Sequence, residues 1–411
     1  MTHESLDLLV PLVALLVGLA AGKAWERYRL QDGSLVDRRK LQASPHYLQG
    51  LNYLVANPLD PAIEEFGRAA ALNEDTVDVH IVLGNLYREK GQVGRAIQIH
   101  QQLLQRPRLT RHEHASVLLC LGRDFRHGGF VDRAVDAFTE VLKIDAANQP
   151  ALLNLEKLHE DQHQFAEAYR IRERLTALAA PDQQARHRAI QAFLGNELGM
   201  QALQRGERSE AKRCFATAID QHAPAVPAYL NLGDLQAREG DLAGAVATWE
   251  RVLEAAPDRA YLAFTRLRDA YAMRGTPERY TELCRGLIAR SPADWRARLA
   301  LARHFDAADR TAEAFDLVCD ALHVNPHAVL LHQHAWHLLS RLGFDAALVE
   351  RYVEISRDAV FYRDPHVCVR CHYRATELMW QCPHCREWDS FVEERLTPAR
   401  EEGLLRPVGQ D

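Results

Sequence analysis

The order of apolar and polar positions divides the chain into three parts with different periods. Leu8 to Gly22 (LLVPLVALLVGLAAG) is uniformly apolar and carries no charge. From residue 43 to residue 355 apolar positions recur at helical spacing, in pairs of segments separated by short polar or glycine-bearing turns. Beyond residue 360 the helical period is lost, and two Cys-x-x-Cys pairs stand in a short stretch rich in aromatic residues.

The first part predicts a membrane anchor over residues 1–25. As a helix, Leu8 to Gly22 spans about 22 Å at about 1.5 Å per residue, short of a hydrocarbon core of about 30 Å. Leu6, the stem of Lys23, Ala24 and Trp25 extend it toward spanning length, because lysine snorkels and tryptophan suits the interface. Pro11 falls in the first turn, where it costs least. A cleaved signal peptide would need a basic leading region, whereas MTHESLD holds Glu4 and Asp7 and no Lys or Arg. A soluble core helix of this apolarity would need a groove to cover it. Lys23, Arg27, Arg29, Arg38, Arg39 and Lys40 all follow the segment, which sets the remainder of the chain on the cytoplasmic side. Residues 26–42 read as a linker.

Self-comparison shows that the long middle part is an array. IVLGNLYREKGQVGRAIQIHQQLL around Gly84, LCLGRDFRHGGFVDRAVDAFTEVLKIDA around Gly122 and LNLGDLQAREGDLAGAVATWERVLEAAP around Gly233 share one pattern. With the glycine of Leu-Gly as the anchor, equivalent positions are Gly50, Gly84, Gly122, Glu156, Gly199, Gly233, Arg268 and Ala302, at intervals of 34, 38, 34, 43, 34, 35 and 34 residues. A small residue recurs at Ala62, Ala96, Ala134, Ala168, Ala211, Ala245 and Ala314, with Tyr280 as the exception. A bulky one recurs at Phe66, Phe138, Phe215 and Trp249, and Pro257, Pro292 and Pro326 end repeats. Small residues let two helices approach closely and the aromatic fills the gap to the next pair. The period and pattern resemble the tetratricopeptide repeat. They predict eight to nine helical hairpins over 43–355, the ninth degenerate across His332 to Ile355, stacked into an all-α superhelix with a concave protein-binding surface. The long intervals place insertions near Pro107 to His112 and Ala177 to His187. Both read as loops, and the second suggests a hinge at 177–187 between sub-arrays.

Composition narrows the function classes. The 411 residues are 47% hydrophobic and 26% charged, as expected of a folded chain. A net charge of -6 supplies no basic field for nucleic acid. The sequence shows no nucleophile–base pair, so an enzyme is not expected. Glu156-x-x-His159 and Glu160-x-x-His163 have the spacing of di-iron carboxylate bundles, but no second Glu-x-x-His helix faces them, and a hydrogen-bonded polar pair between helices is expected instead. His327, His332, His334 and His337 read as a solvated or hydrogen-bonded set. Cys214 and Cys284 read as small buried core residues, and no pattern among Cys120, Cys214, Cys284 and Cys319 suggests catalysis.

The remaining cysteines carry the chemistry. Cys368-Val-Arg-Cys371 is followed after ten residues by Cys382-Pro-His-Cys385, a pair of knuckles with metal-ligand spacing. Two residues between thiolates let one turn present both sulfurs to one ion, and two turns complete a tetrahedron. Disulfides are disfavoured in a cytosolic setting, and a thioredoxin-type redox pair would need a βαβ context. Four thiolates form a closed site that suits either zinc or iron. Rubredoxin-type iron sites often place glycine just after a knuckle, and His372 and Arg386 stand there instead. A ribbon of thirty-odd residues (360–395) draws much of its folding energy from the ion, with Tyr373, Met379, Trp380, Trp388 and Phe391 available to pack around it or against the last repeat. Residues 396–411 read as a polar, flexible tail.

An N-terminal anchor, a repeat array and a terminal tetracysteine ribbon, with CVRCHYRATELMWQCPHCREW as the most specific stretch, resemble the lipopolysaccharide assembly protein B family over the whole chain. The resemblance implies a rubredoxin-like ribbon packed on the repeats, with Cys368, Cys371, Cys382 and Cys385 at the metal-ligand positions. It also implies a cell inner-membrane regulator of lipopolysaccharide biosynthesis. The protein partners it implies are the membrane protease FtsH, the lipid A deacetylase LpxC whose degradation it promotes, and lipopolysaccharide assembly proteins. A general membrane-anchored assembly scaffold, and a redox-sensing or electron-transfer protein with an iron tetrathiolate, are the competing readings.

Overall fold

The computed structural model describes residues 45–56, 59–72, 77–107, 109–357, 359 and 366–393. The expected anchor (1–25), linker (26–42) and tail (396–411) lie outside them. Among the described residues no helix is long and apolar enough to cross a membrane.

The chain divides between Pro181 and Asp182 into two compact units. The first holds four helical hairpins: α1 (Pro45–Ala56) with α2 (Leu59–Leu72), α3 (Val77–Glu89) with α4 (Val93–Leu104), α5 (Arg111–His127) with α6 (Val131–Ile144), and α7 (Gln149–Asp161) with α8 (Phe165–Leu178). The second opens with α9 (Gln184–Gln204) and α10 (Arg208–Gln221), then α11 (Val226–Arg238) and α12 (Leu242–Ala255). A 3-10 helix (Pro257–Ala263) runs into α13 (Phe264–Met273), which pairs with α14 (Pro277–Arg290). Two hairpins follow, α15 (Trp295–Ala307) with α16 (Thr311–Val324), and α17 (Val329–Arg341) with α18 (Ala346–Ser356). Three short strands, β1 (His366–Cys368), β2 (Arg374–Ala375) and β3 (Phe391–Glu393), close the second unit.

The repeat pattern has a packing cause. Each anchor glycine lies against the ring sixteen residues later, on the second helix of its hairpin. A Cβ added to Gly122 would stand 2.6 Å from the Phe138 ring, and one added to Gly50 would stand 2.8 Å from Phe66. Gly84, Gly199 and Gly233 meet His100, Phe215 and Trp249 in the same way. The small positions Ala62, Ala96, Ala134, Ala168, Ala211, Ala245 and Ala314 are all fully buried, and Tyr280 fills the odd repeat at 2% exposure. Glycine and alanine thus set the helix separation, and the ring fills the space they leave.

Two hairpins carry a polar side chain at the ring position, and each is compensated. His100 is fully buried, and its Nδ1 lies 2.5 Å from Asp124 Oδ2. Arg88 Nη1 donates to the other Asp124 oxygen at 2.9 Å. In the fourth hairpin Glu156 takes the glycine position and Arg172 the ring position, joined by Arg172 Nε to Glu156 Oε1 at 2.7 Å and Nη2 to Oε2 at 2.5 Å. The partner of Glu156 is therefore an arginine on the facing helix. His159 instead approaches the Gln164 side chain at 2.7 Å, and Glu160 accepts from Lys157 at 3.2 Å.

The insertions do not behave alike. Near Pro107 to His112 the extra residues end in a capping box, with Glu113 N donating to Thr110 Oγ1 at 3.2 Å and Thr110 N donating to Glu113 Oε2 at 2.8 Å, and α5 starts there. The second insertion was expected to be a loop throughout. Residues 184–187 are instead helical, so α9 reaches 21 residues where its counterpart α11 has 13. The added turns carry Arg186 and lead into Ile190 and Phe193.

Candidate metal centre

The ribbon is a three-stranded antiparallel sheet in the order β2-β1-β3, with Val367 opposite Arg374 and Val392, and Cys368 opposite Phe391. β1 delivers Cys368 into the first knuckle. That turn closes by His372 N donating to Cys368 O at 2.9 Å, and the second by Arg386 N donating to Cys382 O at 2.9 Å. Both turns need a left-handed residue directly after the second cysteine, and His372 (φ 59°) and Arg386 (φ 60°) supply it. Non-glycine residues pay about 1–2 kcal/mol for that conformation.

The four sulfurs converge. All lie within 4.8 Å of one another, with Cys368 to Cys385 and Cys371 to Cys382 both at 3.6 Å. A disulfide would bring sulfurs to about 2.05 Å, and every cysteine is a free thiol. A tetrahedral ion with metal–sulfur bonds of about 2.3 Å puts sulfurs about 3.8 Å apart, so the donor set fits a tetrathiolate ion. Cys368 and Cys382 are fully buried, Cys371 and Cys385 half-buried, and Phe391 backs the cluster. Burial opposes ionisation of Cys368, but the Ser390 hydroxyl, 3.3 Å away, and the amides of Cys371 and Arg370 outweigh it and bring the thiol down to about 6. Cys385 is pushed up to about 12 by burial and by its three sulfur neighbours. In this arrangement the Cys368 thiolate forms readily, whereas Cys371 and Cys385 need a cation to replace their protons. Four sulfurs would fill a tetrahedral shell, which suits holding an ion in place.

The ribbon sits on the second unit by shape and charge together. Phe193 of α9 stacks on Trp388 (5.8 Å between centroids, 16°) and meets Trp380 at 6.1 Å. Three ribbon acids face three arginines of the repeats: Glu387 accepts from Arg186 at 2.7 Å, Asp389 pairs with Arg259, and Glu393 accepts from Arg296 at 2.5 Å. Burial works against Glu387, yet Arg186 and Arg370 outweigh it and hold its carboxyl below the usual carboxylate range. The tryptophans thus dock on the fifth hairpin, where packing around the ion or against the last repeat was expected. Tyr373 stays within the ribbon, stacked on His384 at 6.4 Å. Sequence reasoning missed Phe193, Arg186, Arg259 and Arg296, because no local pattern marks a helix residue whose partner is 97 to 201 positions away.

The other candidates do not assemble. Among the described residues the cysteine quartet is the group of three or more possible ligands that comes together. His332 accepts from the Tyr352 hydroxyl at 2.9 Å and donates to the Pro326 carbonyl at 2.6 Å. His334 and His337 stack at 5.9 Å, with His337 Nε2 3.2 Å from Asp306. Burial pushes the Cys284 thiol up to about 12 and Cys319 to about 11, which keeps them protonated. Cys214 is half-buried beside Glu210 at 3.7 Å, not a core residue as expected.

Comparison with known proteins agrees with this division. Residues 366–393 match a rubredoxin metal binding domain, and 79–112 and 196–260 match tetratricopeptide repeats. Lipopolysaccharide assembly protein B of Escherichia coli (strain K12) is 26% identical over 388 residues, covering 93% of this chain and 98% of the relative. The protein of that name from Haemophilus influenzae is 25% identical over 394 residues, with 93% and 98% covered. Among solved structures, YrrB, a tetratricopeptide protein with an unusual peptide-binding site, is 20% identical over 50% of this chain and 98% of its own, with a TM-score of 0.35.

Proposed function

The chain belongs to the lipopolysaccharide assembly protein B family, and we propose that it regulates lipopolysaccharide assembly at the inner membrane by binding proteins through its repeats. In this reading residues 1–25 anchor it and residues 26–42 link the anchor to a cytoplasmic array. Cys368, Cys371, Cys382 and Cys385 hold one iron or zinc ion, which supplies folding energy to the ribbon. The array brings the deacetylase LpxC to the membrane protease FtsH, and anchoring raises the local concentration of one near the other. No catalytic step is assigned to the chain.

The observation that carries the reading is a ribbon matching the family's metal domain, seated on the repeats by Phe193 and three arginine–acid pairs. Such a ribbon makes the shape of the second unit depend on the ion. Depletion of the protein in its own bacterium tests the function. LpxC and lipopolysaccharide are expected to rise, and wild-type protein, but not Cys371→Ser, to restore them. Unchanged LpxC on depletion removes the proteolytic arm, and unchanged lipopolysaccharide removes the assembly role.

A further inference from the structure

The second unit contains a groove of about 570 Å³ that the metal centre does not use. Its floor is formed by the first helices of three successive hairpins, the 3-10 helix with α13, then α15, then α17, and its rim by the ribbon residues His366, Thr376 and Glu393. We propose that this groove binds an extended acidic peptide segment of a protein partner, with Arg268 and Arg303 receiving its carboxylates.

Charge is the first argument. The lining holds three arginines, Arg268, Arg296 and Arg303, against one acid, Glu393, in a chain whose net charge is -6. Arg296 is already committed: its guanidinium pairs with Glu393 at 2.5 Å and with Asp294 at 3.7 Å, and it lies over the Tyr261 and Trp295 rings. Arg268 meets only its neighbour in sequence, the exposed Asp269, at 2.8 Å. Arg303 has no ion pair or hydrogen bond among the described residues. The Arg303 guanidinium is therefore open to a carboxylate, the acceptor its planar fork suits, and Arg268 is held only by an exposed Asp269 that a partner's carboxylate can displace.

The walls decide between a peptide and a compact anion. Trp295 is half-buried and Leu330 is 45% exposed at the groove, so apolar faces stand beside the cations. Thr265 and Gln333 offer side-chain donors and acceptors that a peptide backbone can use. Helix axes pack about 9 Å apart, so three helices present about 18 Å, the length of about five or six extended residues. Acid and apolar side chains alternating along such a segment match this lining, whereas a phosphate group would leave most of it uncovered.

The inference rests on the proposed protein-binding role and names what the second unit grips. The test uses the full-length protein and a fluorescein-labelled hexapeptide of alternating glutamate and leucine, followed by anisotropy. The same peptide with glutamine in place of glutamate is expected to bind at least tenfold more weakly. Arg303→Gln is expected to weaken the acidic peptide about fivefold, the double variant Arg268→Gln/Arg303→Gln more than tenfold, and Arg303→Lys only slightly, with helical circular dichroism and metal content unchanged. Equal binding of the two peptides, or an unchanged affinity in the double variant, overturns the proposal. So does arginine-dependent binding to phosphatidylglycerol vesicles with no binding of the peptide, which would assign the groove to lipid. If the peptide fails to bind while depletion still raises LpxC, the groove is wrong and the function stands; arginine-dependent binding without any effect of depletion gives the reverse.

Discussion

Trp388 of the ribbon lies flat on Phe193 of α9, 5.8 Å between ring centroids and 16° from parallel, with both residues almost fully buried. One stacked pair therefore couples the metal-binding turn to a repeat helix whose extra turns come from a sequence insertion. Ring burial of this kind is worth several kcal/mol, and stacking adds about 0.5–1.5 kcal/mol.

Phe193→Ala is expected to release the ribbon from the repeats at a cost of about 3–5 kcal/mol. Hydrogen exchange should rise at 366–393 and along the first half of α9, while the metal content stays at one ion per chain. Unaltered exchange in the ribbon would show that the three arginine–acid pairs hold it unaided.

Cys371→Ser is expected to lose the ion and unfold the ribbon, leaving the repeats helical in far-ultraviolet circular dichroism. Elemental analysis and a visible spectrum of the wild type identify the metal. One colourless zinc ends the electron-transfer reading, and one iron with thiolate charge-transfer bands supports it. A folded ribbon without metal would contradict the tetrathiolate site.

Glycine at either left-handed turn position is expected to stabilise the ribbon. His372→Gly and Arg386→Gly each remove about 1–2 kcal/mol of backbone strain, partly offset by the greater freedom of glycine in the unfolded chain. The readout is slower loss of metal to a chelator in the variants than in the wild type.

The Glu156–Arg172 pair, 0% and 2% exposed, is expected to be costly to break but replaceable. Arg172→Met alone should destabilise the first unit by about 3–5 kcal/mol, because it leaves a buried carboxylate without its partner. Glu156→Gly with Arg172→Phe restores the arrangement of the Gly122 and Phe138 hairpin and should recover most of that loss. Thermal unfolding of the three proteins checks the order.

His334 gives the second unit an acid limit. Burial first, and then Arg303, lower its pKa to about 4, while Asp306 pulls the other way and His337 adds to the lowering. The unfolded chain takes up this proton near the ordinary histidine value, so stability is complete above about pH 6.5 and falls as pH drops toward 4. His334→Gln should flatten that part of a melting-temperature profile, and Arg303→Gln should raise the His334 pKa measured by NMR.

The repeat interior was legible because its determinants are local. Gly122 and Phe138 lie sixteen residues apart on two consecutive helices, so their contact recurs as a pattern in the chain. Glu156 at the glycine position was visible too, but Arg172 at the ring position was not inferred. The convergence of the four cysteines was equally plain, since the Cys-x-x-Cys spacing directs two sulfurs inward from one turn.

The docking of the ribbon was not legible. Arg186 and Glu387, Arg259 and Asp389, and Arg296 and Glu393 are surface-type residues until the fold brings them together across 201, 130 and 97 positions. The groove beside Arg303 has the same origin, because three first helices and a strand edge must be assembled before its charge and walls coincide. By itself the sequence determined the repeating helix pairs and the four converging thiols, which depend on near neighbours along the chain. The tertiary structure decided where the ribbon sits and that Arg303 stands without an ion pair among the described residues, since those depend on contacts that no short-range pattern encodes.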